Sequence, residues 1–294
     1  MKTVLITGSA GFLGRHLTRA LDDAGYAITS IDRGDGLDAR DFFRQSSDRF
    51  DLVVHAAAAG ADRASIDGSP LVLAANFELD AGLFGWAART RPGRVVYLSS
   101  SAAYPVVLQQ PGSDYRLRER DISLRHPQQP DGIYGWCKLT GERLAALARD
   151  AGVPVTVVRP FSGYGEDQGE RFPFGALAAR AVRREDPFVI WGTGEQVRDF
   201  IHVDDIVAAV TTMAEQGIDG PVNLGTGRPT ALLSLAGMAC EAAGYKTVTW
   251  EAHPEKPAGV ACRVADITAM SEFCTPKVTL EEGVARAVCA LVAA

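Results

Sequence analysis

The sequence predicts an α/β protein built on a doubly wound parallel sheet, with a smaller α/β lobe at its C-terminal end. Three observations carry this expectation. Short β-branched runs alternate with amphipathic stretches through the first half of the chain, which is the pattern of βαβ units. The first of these units places three glycines, Gly8, Gly11 and Gly14, between its strand and its helix. After Pro160 the alternation gives way to loops rich in glycine and charge, from Gly163 to Arg171, where a second lobe begins.

In chain order, strands are expected at Val4-Ile6, Ala27-Ile31, Leu52-His55, Val95-Leu98 and Val155-Arg159, and helices at Phe12-Ala24, Leu71-Thr90 and Ile133-Ala151. The interval from Arg33 to Asp51 is short and polar, so any element there is abbreviated. Beyond Pro160 a helix is expected at Phe174-Arg184, a strand returning to the sheet at Val222-Gly225, a further strand at Thr247-Trp250 and a helix after Leu280. The first domain thus covers residues 1–165 with a returning segment near 195–227, and the second lobe, interleaved with it, covers 166–294.

Composition removes several classes of function. The chain carries 30 Lys plus Arg against 36 Asp plus Glu, a net charge of -6, with no block of like charge, so a nucleic-acid partner is not expected. No stretch is long and apolar enough to span a bilayer, and the N-terminus enters a strand-like run at once, without the features of a secretory signal. The five cysteines are odd in number and scattered, fitting neither a disulfide framework nor a zinc site. Together these point to the cytoplasm. The five histidines are equally dispersed, and no bound metal is expected.

The N-terminal run from Val4 to Leu17 is a buried strand, three glycines and a helix. Gly8 suits the tight turn, Gly11 lets backbone N–H groups approach a pyrophosphate, and Gly14 lets the helix pack closely on the sheet. The helix N-terminus, entered at Phe12 and Leu13, adds unpaired N–H groups and a positive dipole end. A tight ligand-free connection would use the same glycines, but Asp32, closing the next strand, falls where a dinucleotide ribose needs an acceptor. Its carboxylate would repel a 2′-phosphate, so the fold reads as Rossmann-like and the cofactor as NAD, with Arg33 beside it and Asp38 further on as additional contacts.

Tyr134 and Lys138 lie four residues apart on an expected helix, hence on one face. A free phenol is a poor base at neutral pH, and a nearby ammonium together with a positively charged nicotinamide favours phenolate. The run Val95-Val96-Tyr97-Leu98-Ser99-Ser100-Ser101 ends a buried strand in three hydroxyls, at the carboxyl edge where ligands bind in open α/β sheets.

In this order, the motifs Thr7 to Gly14, His55 to Ala58, Asn76, the serine run, Tyr134 to Lys138, Arg159 to Gly165, Arg198 to Asp205 and Asn223 to Gly227 make the chain resemble the extended short-chain dehydrogenases/reductases, of the NAD-dependent nucleotide-sugar epimerase/dehydratase kind. The resemblance covers nearly the whole chain. It implies that Tyr134 takes the proton of a sugar hydroxyl while NAD accepts hydride from the same carbon, that Ser100 hydrogen-bonds that oxygen, and that Lys138 holds the nicotinamide ribose. Pro160 and Phe161 are then expected beside the nicotinamide, and Ala56, Ala57, Ala58 and Asn76 along the cofactor. The substrate would be a nucleotide-diphospho-sugar, with Arg198 clamping a phosphate; a surface ion pair with Asp199 or Asp205 is the other use of that arginine. Lys256 stands in for the C-terminal arginine of many relatives, and Ser162 stands where an asparagine is usual. Relatives often form homodimers through the two helices at Leu71-Thr90 and Ile133-Ala151, and Leu79, Leu83, Phe84 and Trp86 are available for that interface or for the core.

The residues after Ser100 sort the chemistry. Dehydratases of the family place an Asp-Glu pair there, decarboxylating relatives a glutamate at the Ala102 position, and GDP-sugar epimerases a cysteine; this chain has Ser101 and Ala102. Tyr104-Pro105 with Gln109-Gln110-Pro111 is most similar to the GDP-sugar enzymes even so. By elimination the expected reaction is 4-epimerisation through a transient ketone, which requires no further acid or base. A dehydrogenase or keto-reductase that exchanges NAD(P), and a non-catalytic NAD-binding protein, are the alternatives.

Overall fold

The computed structural model describes residues 1–59 and 70–293. Its first half follows the βαβ rhythm: β1 (Thr3–Thr7), α1 (Phe12–Asp23), β2 (Ala27–Ile31), a short 3-10 turn and α2 (Ala39–Gln45), β3 (Leu52–His55), α3 (Pro70–Thr90), β4 (Val95–Leu98), α4 (Gly132–Asp150) and β5 (Val155–Pro160). The polar interval after Asp32 holds α2 as its one regular helix. A later strand, β10 (Val222–Leu224), joins the edge to give the order β10-β5-β4-β3-β1-β2, with every pairing parallel. The chain doubles back between β1 and β3, so the ligand crevice of a doubly wound sheet opens at their carboxyl ends.

Alternation along the strands supplies both faces of the core. Leu5, Val53, Val95, Tyr97, Val155 and Val157 point to one side, against α2, α3 and α4. Val4, Ile6, Leu52, Val54, Val96, Leu98 and Val158 point to the other, against Leu17 and Leu21 of α1 and Ile206, Ala209, Val210 and Met213 of α6 (Val203–Gln216). Each such side chain contributes about 1.5–3 kcal/mol on burial. Leu79, Leu83, Phe84 and Trp86 all lie in the first of these clusters, so of the two uses open to them the structure takes the core.

The C-terminal part is assembled from shorter pieces. Strand β6 (Ser162–Tyr164) pairs with β9 (Phe200–His202), and β7 (Phe188–Trp191) with β12 (Trp250–His253). Strand β8 (Val197–Arg198) lies between β11 (Thr230–Ala231) and β13 (Cys262–Arg263). Around them α5 (Pro173–Arg183), α7 (Leu232–Ala242) and α9 (Leu280–Ala293) close a separate apolar cluster with Tyr164, Phe174, Phe188 and Phe200; α8 (Thr268–Ser271) is a single turn. The strand expected at Thr247-Trp250 begins only at Trp250, in register with Phe188. Pro187 lacks the N–H that would carry the ladder further back. Helices α6 and α7 were not expected. Leu232-Leu-Ser-Leu-Ala-Gly-Met-Ala-Cys is apolar nearly all round and so shows little helical period.

Candidate active site

The glycine turn has the geometry its residue types require. Gly8 has φ +74°, and a Cβ there would overlap the backbone of Ala57 at 2.5 Å; a Cβ on Gly14 would collide with the Gly8 carbonyl. The helix that follows is capped by no side chain and has no acid in its first turn, which leaves its positive end suited to an anion. A cleft of about 270 Å³ runs from Gly8 and Gly11 past Asp32, Arg33 and Asp38 on one wall to Ala56, Ala57 and Ala58 on the other. Asp32 accepts from Gly34 N at 2.7 Å and Ala10 N at 3.0 Å, fixing its carboxylate against the turn. Arg40 pairs with Asp38 at 2.6 Å and holds that carboxyl at about 2. Asn76 is buried and grips Ala59 through both its N–H and C=O, accepting at 2.8 Å and donating at 2.9 Å; it fixes the end of the Ala56–Ala59 wall.

Ser100 is held between two fixed points on the helix that carries Tyr134. On one side of it, the carbonyl of Leu98 accepts from the Lys138 ammonium at 2.8 Å. On the other, the carbonyl of Ala102 accepts from Asp131 N at 3.0 Å. A Cβ on Gly135 would strike that same Ala102 carbonyl, so the glycine beside Tyr134 is what allows the serine turn and the helix to meet. Lys138 is buried, with its ammonium 5.8 Å from the centre of the Tyr134 ring and 5.2 Å from that of Tyr97. Ser100 accepts from Ala102 N at 3.1 Å, and Ser101, Ala102 and Ala103 are all buried. Among the described residues no group of three or more His, Cys, Asp or Glu is arranged to hold a metal.

Beneath the serine turn lies a saturated polar network. Ser99 donates to Glu142 at 2.5 Å; Arg159 grips both Glu142 oxygens, at 2.8 and 2.6 Å, and donates to the Tyr104 hydroxyl at 3.0 Å. Tyr104 in turn donates to Asn223 at 2.6 Å, so β4, α4, β5 and β10 share one buried scaffold. Phe161 is buried against the Tyr104 ring at the end of β5, next to Pro160. Ser162 N donates to Asp199 O. The Asp199 carboxylate accepts from Thr226 N and Oγ1, Gly227 N and Ala265 N; burial raises it against these bonds.

A model of the NAD dependent epimerase/dehydratase family matches residues 4–225. The chain belongs to that family. It is 30% identical over 299 residues to the dTDP-4-dehydro-6-deoxy-D-allose reductase of a Streptomyces species, the match covering 92% of this chain and 90% of the relative. Its structure is similar to that of the UDP-glucose 4-epimerase of Thermotoga maritima with UDP-glucose, with a TM-score of 0.84, 26% identity and 98% of each chain covered. It is similar also to MoeE5 in complex with UDP-glucuronic acid and NAD, with a TM-score of 0.81, 28% identity and 98% of each chain.

Arg198, expected to meet the substrate, donates to the carbonyls of Val197 and Ala258. Asp199 is engaged as above, and Asp205 accepts from Lys277 N and Val278 N. Lys256 sits on an exposed turn after β12. Sequence reasoning missed Arg263, which stands opposite Arg198 in the register of β13 with β8. It also missed Asp131 and Gln109, both hydrogen-bonded to Arg263, at 2.8 and 2.6 Å. The one signal in the sequence was the position of Asp131, three residues before Tyr134.

Proposed function

We propose that the chain moves a hydride reversibly between NAD and a secondary carbinol carbon of a nucleotide-diphospho-sugar, and that the net reaction is epimerisation at C4 through a transient 4-ketone. The observation that carries this reading is the bracket around Ser100: Leu98 to Lys138 on one side, Ala102 to Asp131 on the other. It brings the serine turn onto the helix of Tyr134 and Lys138. Tyr134 accepts the sugar hydroxyl proton while Ser100 hydrogen-bonds that oxygen; NAD, which the cleft from Gly8 and Gly11 past Asp32 to Ala56–Ala58 would hold, would supply the hydride acceptor. Lys138, held by the Leu98 carbonyl, orients the ribose. The segment after Ser100 contributes a buried hydroxyl and two methyl groups, so it adds no carboxylate or thiol for elimination or for proton abstraction at a neighbouring carbon. Asp32 selects NAD, and Arg198 holds a substrate phosphate with Arg263 at its side.

A 4-keto-reductase that exchanges its cofactor is the second reading. The 30% identity to a keto-sugar reductase favours it, and it uses the same three catalytic residues. A homodimer across α3 and α4 would rest on Phe77, Trp136 and Leu147, which remain exposed on them. Incubating the purified protein with UDP-, GDP-, CDP- and dTDP-sugars, with NMR for products and absorbance for NADH, tests the proposal. Epimer without net NADH change is expected. Stoichiometric NADH consumption on a keto-sugar favours the reductase, and no hydride transfer with any sugar overturns both.

A further inference from the structure

We propose that Asp131 and Arg263 form a positioning pair that sets Tyr134 for proton transfer and links it to the strand beside Arg198. The proposal rests on the reading of Ser100, Tyr134 and Lys138 given above.

Asp131 occupies the N-cap of α4, a position where an aspartate usually accepts from the first free N–H groups of the helix. Here its side chain makes no such bond. The carboxylate turns instead to Arg263 Nη2, at 2.8 Å, with the two side chains only 14% and 11% exposed. A largely buried ion pair is poor support for stability, because desolvation opposes its attraction. Giving up a cap to make one is better explained by placement.

The contacts of the pair show what is placed. The backbone of Asp131 donates to Ala102 O and accepts from Gly135 N, so one residue ties the turn after Ser100 to the first turn of the Tyr134 helix. Arg263 Nε donates to Gln109 Oε1 at 2.6 Å. Gln109 is 2% exposed and donates to the carbonyls of Tyr104 and Pro105 at 3.1 and 3.2 Å, gripping the far end of the serine segment. Arg263 also faces Arg198 across the parallel β8–β13 ladder, and side chains paired in register leave a sheet on the same face. Phosphate seated on Arg198 therefore lies beside the residue that anchors the catalytic helix.

The test uses holoenzyme with the nucleotide sugar it turns over, in Asp131→Asn, Arg263→Gln, Arg263→Lys and the double variant Asp131→Asn/Arg263→Gln. Each neutralising single change is expected to lower kcat by about 10- to 100-fold, the cost of a small misplacement at a reacting centre. KM is expected to stay within about threefold. The double variant is expected to lose no more than either single one, since both break one interaction, and Arg263→Lys to recover part of the rate. Melting temperature and NAD affinity are followed alongside; should Arg263→Gln fail to fold, the near-isosteric Asp131→Asn and Arg263→Lys carry the test. Unchanged kcat, losses that multiply, or a raised KM at normal kcat would overturn the pair as a positioning device while leaving the hydride-transfer reading intact. A wild-type protein that transfers no hydride overturns the reading and this assignment with it.

Discussion

The glycine turn proposed to hold the cofactor's phosphates is encoded in one stretch of chain, Gly8 to Gly14, whereas at the proposed substrate end Arg263 meets Gln109 from 154 residues away. The first depends on backbone shape: positive φ at Gly8, close packing at Gly14 and an uncapped helix end. The second depends on side chains brought together from the segment after Ser100, the N-cap of α4 and β13. The contrast teaches that the shape of the turn is set locally, while the arrangement around Arg263 is set by long-range contacts, which a different set of loops can change without disturbing the turn.

Substitutions at the two ends should therefore fail differently. The largest effect is expected at Gly14→Ala, where the new methyl meets the backbone of Gly8 and Ser9, with no flexible side chain to give way. A loss of more than about 3 kcal/mol with loss of NAD binding is expected in denaturant titration and fluorescence binding. The control is Gly85→Ala, also in a helix but with nothing within 4 Å of the added carbon, expected to be neutral or to stabilise by up to about 1 kcal/mol. If Gly14→Ala binds NAD normally, the account of the turn is wrong.

Next comes the scaffold beneath the serine turn. Glu142→Gln leaves the buried guanidinium of Arg159 without its carboxylate and should cost about 3–5 kcal/mol in urea unfolding. A cost below about 1 kcal/mol would mean that the network is not what joins β4, α4 and β5.

The smallest effect concerns a clasp between the two halves. Asp167, in the loop after β6, accepts from Arg15 at 2.6 Å and pairs with His16 at 3.0 Å, both on α1. Burial works against its charge, yet the bonds from Arg15 and His16 hold the carboxyl at about 2, below the ordinary 3.8. A depressed carboxyl contributes stability that is present above about pH 4 and is lost as pH falls towards 2. Wild type should melt slightly higher than Asp167→Asn at pH 5, with the gap closing as the pH is lowered to 2.5. A gap that stays constant would remove the clasp from the account.

This division also explains what the sequence disclosed. The βαβ rhythm, the glycine turn, Asp32 and the Tyr134-Lys138 spacing are short-range patterns, and each of these elements stands at the expected place. Arg263 carried no such mark. An arginine in a two-residue strand looks like any surface cation until β13 is laid against β8. Gln109 and Asp131 were hidden for the same reason, because a glutamine and an N-terminal aspartate have common local uses. Asn76 was expected along the cofactor, but its grip on Ala59 was not legible, since that bond is made through the backbone of another segment.

In the proposed epimerisation one hydride leaves a sugar carbon and returns to its other face. This is tested most directly with the accepted nucleotide sugar deuterated at C4, incubated in ordinary water with the protein and no added cofactor. The C4 epimer with deuterium retained at C4 is expected. Deuterium lost to solvent, or no epimer unless NADH is supplied, would contradict it.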